Sequence, residues 1–326
     1  YYRNKAQFPI TLEEGKVKIG FYASHSHRIV PTDECIIQDK RNKEIVQVVK
    51  TFIEKYNISV YDENQHKGLL RHLVTKTAFY QEGTMVCLVI NGERLPHDDK
   101  LIAALKSIEG ITSIVLNHNK ENTNVILGDK VTVLYGEDFI IDSIGDLKFK
   151  ISPLSFFQVN PLQTKVLYDK VLEYAQLTGN ETVWDAYCGI GTISLFLAQK
   201  AKKVYGVEVV PEAIQNAKEN AELNAISNAE FFAGYAEEVI PRLYKQGVKA
   251  DMIVVDPPRK GCDQKLLETI VSMAPSKMIY VSCDPATLAR DLAYLTSQGY
   301  IVEKVQPVDM FPHTTHVETI ALIQKM

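Results

Sequence analysis

A cysteine beside a predicted helix start is the strongest candidate for covalent chemistry in this chain. Cys283 follows a predicted strand at 277–282 and precedes Asp284 and Pro285, which are typical of an N-cap and a first helical position. The positive end of such a helix favours a thiolate. A thiolate that adds to carbon 6 of a uracil makes carbon 5 nucleophilic, so that carbon 5 can attack an electrophilic methyl group. The alternative is a small apolar cysteine packed under a helix.

A carboxylate near the end of the chain could complete that chemistry. After methyl transfer, a base must remove the proton from carbon 5 before the sulfur can leave. Glu318 closes the stretch FPHTTHVE at 311–318, which opens the last predicted strand. His313 and His316 are alternative bases, and an ordinary exposed strand residue is the alternative for Glu318.

Two glycines and an acidic residue predict a site for an adenosine-containing cofactor. The predicted strand 182–187 leads to Gly189 and Gly191 before a helix, and glycines there let the backbone approach a ligand. Glu208 closes the next predicted strand, where a carboxylate suits the hydroxyls of a ribose. The pattern alone does not distinguish S-adenosylmethionine from NAD.

A further acidic residue is followed by two prolines. Asp256 ends the predicted strand 251–256, and the stiff loop of Pro257 and Pro258 would hold its carboxylate at the rim of the pocket. Base-modifying methyltransferases need such a group, because a flipped base requires hydrogen bonds to its edge. The alternative is a turn capped by an aspartate.

The elements around these motifs change character near residue 155. Asn160 and Pro161 predict a helix start, and beyond them predicted strands and helices alternate. This alternation is typical of a doubly wound, mostly parallel sheet. Such sheets bind ligands beyond the carboxyl ends of their strands. The first half mixes short strands with helices at 41–56 and 98–109. Its predicted strands lie at 16–22, 28–30, 69–79, 84–90, 111–117, 124–134 and 139–151. We therefore expect two domains, 1–155 and 156–326.

Composition limits the class of protein. The chain has 326 residues and a net charge of −4, so composition alone does not predict nucleic-acid binding. Its five scattered cysteines indicate a reduced, cytoplasmic protein and no disulfide framework. No apolar run reaches the ~18–20 residues that span a bilayer, so no membrane is expected as a partner. We expect a monomer. Because the first residue is not Met, we also expect a further N-terminal segment in the natural protein.

The motifs together resemble those of the RNA uracil-5 methyltransferases, the TrmA, RumA and RlmD family, which acts on tRNA or 23S ribosomal RNA. The resemblance spans nearly the whole chain, and the pair SCDPATLARD and FPHTTHVE is highly specific. The matching stretches are YRNKAQ at 2–7, FFQVNP at 156–161, DAYCGIGT at 185–192, GVE at 206–208, DPPRKG at 256–261, SCDPATLARD at 282–291 and MFPHTTHVET at 310–319.

The resemblance implies a fold and a set of roles. The fold is α/β: a seven-stranded Rossmann-like methyltransferase domain that uses S-adenosylmethionine, preceded by a smaller central α+β domain. Cys283 matches the nucleophile and Glu318 the base. The positions that line the pocket for S-adenosylmethionine and uracil in this family correspond to Gln158, Tyr187, Glu208 and Asp256. The glycine pattern adds Gly189 to the cofactor site. Phe156 and Arg259 match family positions less closely.

The resemblance also carries expectations about cofactors and partners. Cys35 matches the fourth cysteine ligand of a 4Fe–4S cluster that some members bind with three upstream cysteines, so a cluster is expected only in a longer protein. The RNA substrate is expected to be 23S ribosomal RNA, with tRNA as the alternative. The family often has Asn where Asp284 stands, and a negative charge there would oppose the thiolate unless it caps a helix or pairs with a cation.

Three other functions are consistent with part of the pattern. The first is a methyltransferase that acts on a base nitrogen, in which Cys283 is only structural. The second is a nicotinamide-dependent oxidoreductase, and the third is a non-catalytic RNA-binding protein that keeps the cofactor fold.

Overall fold

The computed structural model describes residues 1–32 and 34–326, which form two compact units. The first unit comprises Tyr1–Ser143 and Lys150–Leu154, and the second comprises Ile144–Phe149 and Ser155–Met326. Within the described residues, each unit is organised around a seven-stranded sheet.

The first unit is a mixed sheet with two helices. Its strand order is β3-β2-β1-β4-β5-β6-β7. Ile45, Val49 and Ile53 line one face of the first helix and are buried in the core with residues of both helices and the sheet, as the helical periodicity predicts. The elements are β1 (Lys5–Glu13), β2 (Lys16–Tyr22), β3 (Ile29–Pro31), α1 (Arg41–Tyr56), β4 (Leu70–Thr77), β5 (Thr84–Ile90), α2 (Asp98–Leu105), β6 (Ile111–His118) and β7 (Lys130–Gly136).

Three sequence-based assignments in this region differ from the structure. Strand β1 was not predicted. The strand predicted at 124–134 is wrong in its first half, because the Asn119 amide donates to the carbonyls of Val125 (2.7 Å) and Ile126 (3.0 Å) and folds this segment into a loop. The strand predicted at 139–151 is two strands, β8 (Ile140–Ile144) and β9 (Leu147–Ile151), because the chain turns at Gly145 with a φ of 58°.

The second unit alternates strands and helices, as predicted. Its order is β12-β11-β10-β13-β14-β16-β15, in which β16 runs antiparallel to both of its neighbours and the other pairs are parallel. The elements are α3 (Pro161–Ala175), β10 (Thr182–Ala186), α4 (Thr192–Ala198), β11 (Lys203–Glu208), α5 (Pro211–Leu223), β12 (Ala229–Ala233), α6 (Ala236–Lys245), β13 (Met252–Val255), α7 (Gln264–Met273), β14 (Lys277–Ser282), α8 (Pro285–Ser297), β15 (Tyr300–Val308) and β16 (Glu318–Lys325).

Helix α3 begins where the sequence predicts. The Asn160 side chain accepts from the backbone N–H of Gln163 (3.3 Å), and its amide donates to the carbonyl of Met310 (3.0 Å). Asn160 therefore caps the helix and fixes the segment that leads to β16. Its side chain is buried, so neither hydrogen bond is replaced by water if it is lost.

We predict that Asn160→Ala lowers the free energy of unfolding of the second unit by about 1–3 kcal/mol, because it removes a cap and leaves a buried carbonyl without its donor. Urea denaturation followed by the fluorescence of Trp184, the single tryptophan of the chain and fully buried in this unit, measures the change. The exposed turn residue Asn180, changed to Ala, is the control. Equal stability of the two variants would contradict this account.

Candidate active site

Antiparallel pairing of β14 and β16 brings the two proposed catalytic residues together. Ser282 at the end of β14 is paired with Thr319 in β16. Cys283 follows Ser282, and Glu318 precedes Thr319, so the next step of this register sets Cys283 opposite Glu318. Burial raises the pKa of the Cys283 thiol, and the charge of the neighbouring Glu318 raises it further.

Glu318 is a buried carboxyl group with one unused oxygen. Its side chain is 3% exposed, and within the described part of the chain its Oε2 atom has no hydrogen-bond partner. Burial, assisted by the nearby Asp256 carboxylate, raises the pKa of Glu318 to about 8. A carboxyl group with a pKa near neutral pH is suited to exchange protons with a substrate.

Cys283 is half-buried and therefore accessible. Burial raises the pKa of its thiol, as do the charges of Glu318 and Asp256, whereas the positive charge of Arg259 lowers it. Whereas the position at the start of α8 led us to expect a lowered pKa, burial and the two carboxylates raise the pKa of this thiol despite the opposing charge of Arg259.

Asp284 acts as the N-cap of α8. Its Oδ1 atom accepts from the backbone N–H groups of Ala286 (2.9 Å) and Thr287 (3.0 Å), and these hydrogen bonds lower the pKa of Asp284. Its charge is satisfied by the helix end, and it is not among the groups that shift the Cys283 pKa. The departure from the family's Asn is therefore compatible with a reactive Cys283.

The loop after β13 holds Asp256 and Arg259. Burial raises the pKa of Asp256 to about 7. Thr287 of α8 donates its hydroxyl to the carbonyl of Arg259 (3.1 Å), and Arg290 donates to the carbonyl of Lys260 (2.8 Å). Helix α8 thus fixes the loop from the same motif that contains Cys283.

A buried aspartate at the centre of this contact was missed by the sequence reasoning. Asp291 is 1% exposed and accepts from the Tyr280 hydroxyl (2.6 Å), the Cys262 backbone N–H (2.9 Å) and the Arg290 guanidinium (2.7 and 2.8 Å). The signal available was its place in SCDPATLARD. Asp291 ties α8 to β14 and to the loop that carries Asp256.

The cofactor motif lies at the carboxyl ends of β10 and β11. Gly189 has a φ of 54°, and a Cβ added there would meet nothing within 4 Å, so the backbone faces open space. Glu208 accepts from the backbone N–H groups of Gly189 (3.2 Å) and Val210 (3.1 Å), and its side chain is partly exposed. Each oxygen keeps a free lone pair, so the carboxylate can still accept from a ribose.

Gly206 and Tyr187 shape the same edge. A Cβ on Gly206 would lie 2.6 Å from the Phe231 ring and 2.9 Å from Cys188 Sγ, so this position requires glycine. Tyr187 has a left-handed backbone with a φ of 69°, and its hydroxyl accepts from the Asp263 N–H at 3.5 Å. The residues present fit S-adenosylmethionine: an open glycine turn, a carboxylate for the ribose and a half-buried aromatic ring.

The remaining candidates lie in different surroundings. Gln158 is buried two residues before the Asn160 cap, in the segment that contacts Met310, whereas Phe156 is 67% exposed. His313 and His316 are exposed, in contrast to Glu318. The structure therefore brings Glu318, Asp256 and Arg259 close enough to Cys283 for their charges to shift its pKa. It also places Gly189 and Glu208 in direct hydrogen-bond contact.

Cys35 lies in the first unit as a partly exposed free thiol. Across residues 1–32 and 34–326, no three His, Cys, Asp or Glu side chains are grouped as they would be around a metal ion. The described residues therefore do not by themselves form a site for an iron–sulfur cluster. In the same ranges, no helix is both long enough and apolar enough to cross a membrane.

Comparison with known proteins identifies a solved structure with the same fold. The solved structure of a tRNA (uracil-54, C5)-methyltransferase from Pyrococcus abyssi, in complex with S-adenosyl-L-homocysteine, superposes on this chain with a TM-score of 0.81. The two sequences are 31% identical, and the match covers 99% of this chain and 76% of that one. The fold and the site together define an S-adenosylmethionine-dependent methyltransferase.

The sequence comparisons give the family. The model of the tRNA (uracil-5-)-methyltransferase family matches residues 127–326. An RNA methyltransferase of Clostridium tetani is 58% identical over 99% of this chain and 70% of its own length, and one of Halalkalibacterium halodurans is 57% identical over 99% and 71%. The chain belongs to the tRNA (uracil-5-)-methyltransferase family and is an S-adenosylmethionine-dependent RNA methyltransferase.

We predict a specific pH dependence for the stability conferred by Glu318. Folding raises its pKa from 4.5 to about 8, so its contribution to stability is complete below pH 4.5 and is lost as the pH rises through 8. Glu318→Gln cannot ionise. The free energy of unfolding of Glu318→Gln minus that of wild type should therefore increase by on the order of 3 kcal/mol between mildly acidic and mildly alkaline pH, because only wild type loses this contribution.

Urea denaturation monitored by Trp184 fluorescence across this range tests the prediction. Glu230→Gln is the matched control, because Glu230 is an exposed carboxylate on the same sheet. Asp256 remains in the Glu318 variant, and its own titration near pH 7 contributes to both proteins. A pH-independent difference between Glu318→Gln and wild type would show that Glu318 ionises normally in the folded protein.

Proposed function

We propose that this protein methylates carbon 5 of a uridine in RNA through a covalent bond between Cys283 and the uracil. The observation that carries the proposal is the pairing of an accessible thiol with a buried carboxyl group whose Oε2 atom is unused, at the cofactor edge of the sheet. We further propose that residues 156–326 form the catalytic domain and residues 1–155 a central domain.

In this mechanism, the Cys283 thiol loses its proton to water, and the resulting thiolate forms a bond to carbon 6 as the electrons of the 5,6 double bond move toward the carbonyl at carbon 4. Carbon 5 then takes the methyl group that bound S-adenosylmethionine would supply on a positively charged sulfur; the electron pair of the methyl–sulfur bond would stay with that sulfur, which would leave as a neutral thioether. Glu318, as carboxylate, removes the proton from carbon 5. That electron pair restores the 5,6 double bond as the bond between sulfur and carbon 6 breaks and Cys283 leaves as a thiolate.

The other residues position the reactants. Glu208 holds the ribose hydroxyls of the cofactor, and Gly189 and Tyr187 line its binding site. We assign Gln158 and Asp256 to the edge of the uracil from the match of their motifs to pocket positions, because a flipped base requires hydrogen bonds to its edge. Asp256 also lies close enough to Cys283 for its charge to raise the pKa of the thiol. Arg259 supplies positive charge that opposes the two carboxylates around the thiol.

A base-nitrogen methyltransferase would not use this pairing. Nitrogen already has a lone pair for the methyl group, so neither a thiolate nor a base beside carbon 5 is needed. We propose 23S ribosomal RNA as the substrate, from the resemblance of the motifs. The Pyrococcus abyssi relative is named for uridine 54 of tRNA, which makes tRNA the second candidate. Transfer of labelled methyl groups to separated ribosomal and transfer RNA distinguishes the two.

We predict that Cys283 and Glu318 act at opposite ends of the reaction. Cys283→Ala should abolish both methylation and covalent capture of RNA. Glu318→Gln keeps the shape of the side chain but cannot accept the carbon-5 proton, so it should transfer one methyl group and stall with RNA attached. A denaturing gel of each variant with labelled cofactor and cellular RNA shows whether a labelled protein–RNA band forms.

Cys35→Ser is the control, since Cys35 is a partly exposed thiol in the other unit and should not affect the reaction. Normal turnover by Glu318→Gln would transfer the role of base to His313, His316 or water. A labelled adduct that persists in Cys283→Ala would show that the nucleophile is a different residue.

We also predict that Glu208→Ala weakens binding of S-adenosyl-L-homocysteine about tenfold or more, because the ribose loses its acceptor at a cost of ~1–3 kcal/mol. Isothermal titration calorimetry measures the affinity. The Glu208→Gln side chain can still accept a hydrogen bond from a backbone N–H group of this turn but has no charge. Comparing it with Glu208→Ala therefore separates the loss of the charge from a rearrangement of the turn that Glu208 holds. Glu230→Ala, on the same sheet, should bind normally, and an unchanged affinity for Glu208→Ala would remove Glu208 from the cofactor site.

A further inference from the structure

The turn between β4 and β5 presents two neighbouring aromatic rings to solvent. Phe79 is 40% exposed and Tyr80 is 45% exposed. Their ring centroids lie 5.5 Å apart in an edge-to-face arrangement. Each ring therefore offers a flat apolar surface on which a partner can pack.

The backbone beneath these rings is held by a buried carboxylate. Asp142 has no exposed surface, and its two oxygens accept from the N–H groups of Phe79 and Tyr80 at 2.8 Å each. Gln81 in the same turn donates to the Ser143 hydroxyl at 2.9 Å. Burial raises the pKa of Asp142 against the opposing effect of these backbone donors, so the turn is fixed at an electrostatic cost. A fixed turn presents the rings with little entropy left to lose on binding.

Positive charges are grouped just before the same turn. Lys5 of β1 is paired with Lys76 of β4, two residues before the turn begins at Ala78. Burial lowers the pKa of Lys5, and the charge of Arg3 lowers it further. Burial also lowers the pKa of Lys76, which Lys5 lowers further. Lys76 is buried, and its Nζ donates to the carbonyl of Ser152 (2.7 Å), so the partly exposed Lys5 and Arg3 are the cations that an outside anion can reach.

We propose that Phe79 and Tyr80 form a stacking platform for unpaired bases of the RNA substrate, with Lys5 and Arg3 beside it to contact the phosphate backbone. The proposal rests on the proposed function, since it assigns the RNA a binding surface in the first unit. Aromatic rings stack on any base, and neighbouring cations follow the backbone.

A protein partner is less consistent with this surface. Two rings followed by the polar Gln81 and Glu82 form a small patch, far below the ~800 Å² per partner that a stable protein interface buries. Single-stranded RNA needs only ring faces and a few positive charges. The exposed rings and the adjacent cations supply both.

Fluorescence anisotropy with a labelled oligouridylate tests the platform. The double variant Phe79→Ala/Tyr80→Ala should bind the oligonucleotide about tenfold or more weakly, with an unchanged dependence on salt, because stacking releases no counterions. Tyr80→Phe keeps the ring and should bind as wild type does. Lys5→Gln should instead reduce the steepness of the plot of log association constant against log salt concentration by about one, because one phosphate contact is lost.

Leu12→Ala is the matched control, since Leu12 is an exposed apolar residue of β1 in the same unit. Circular dichroism and binding of S-adenosyl-L-homocysteine should be unchanged in every variant. Equal affinity of the double variant and wild type, or a wild type that does not bind the oligouridylate, would overturn the platform.

Methyl transfer to cellular RNA, measured in parallel, separates this proposal from the proposed function. If the platform is correct, the double variant should show a raised KM for RNA with kcat retained. If wild type binds the oligouridylate through the rings but methylates no uridine, the platform stands and the proposed function fails. If wild type methylates uridine and the double variant has the same KM, the platform fails and the proposed function stands.

Discussion

The antiparallel direction of β16 is the constraint on which the proposed site depends. In a parallel sheet, the residues at the ligand edge are those that follow the carboxyl ends of the strands, as Gly189, Asp256 and Cys283 do here. A reversed strand brings its first residue to that edge. Glu318 is the first residue of β16, and it therefore meets Cys283 across the sheet although 35 positions separate them.

That arrangement concentrates negative charge where a thiolate is required. Burial favours the neutral forms of Cys283, Glu318 and Asp256, and each carboxylate makes ionisation of the thiol harder. With pKa values of about 8 and 7, Glu318 and Asp256 are partly protonated near neutral pH, which limits this penalty. Arg259 offsets part of the remainder.

Much of the fold was predictable because local chemistry determines it. The alternation of strands and helices after residue 160 was confirmed, and so were the caps at Asn160 and Asp284, because these signals are read from neighbouring residues. The loop at 119–128 was not predicted, since it is shaped by the Asn119 side chain and by distant Arg71. Residue types at the strand ends indicated Cys283, Glu318, Gly189, Glu208 and Asp256, and the family resemblance added Gln158 and Tyr187; the roles of all of them stay predictions.

Electrostatics was the least predictable property from sequence. The position of Cys283 at the start of α8 indicated a lowered pKa, and only the fold reveals that burial, together with the charges of Glu318 and Asp256, raises it instead. The hydrogen bonds of Asp291 with Cys262 and Tyr280 could not be predicted for the same reason, because these partners lie 29 and 11 positions away in the chain. Long-range contacts of this kind leave no periodic signal in a single sequence.

The most direct test of the central claim is mass spectrometry of the wild-type protein after reaction with S-adenosylmethionine and RNA in which uridine is replaced by 5-fluorouridine. Fluorine at carbon 5 cannot be removed as a proton, so the covalent intermediate should accumulate. After digestion with protease and nuclease, the account predicts a peptide containing Cys283 that carries one fluorouridine nucleotide and one added methyl group. Attachment at another residue, or full methyl transfer to unsubstituted RNA with no adduct on the fluorinated RNA, would contradict it.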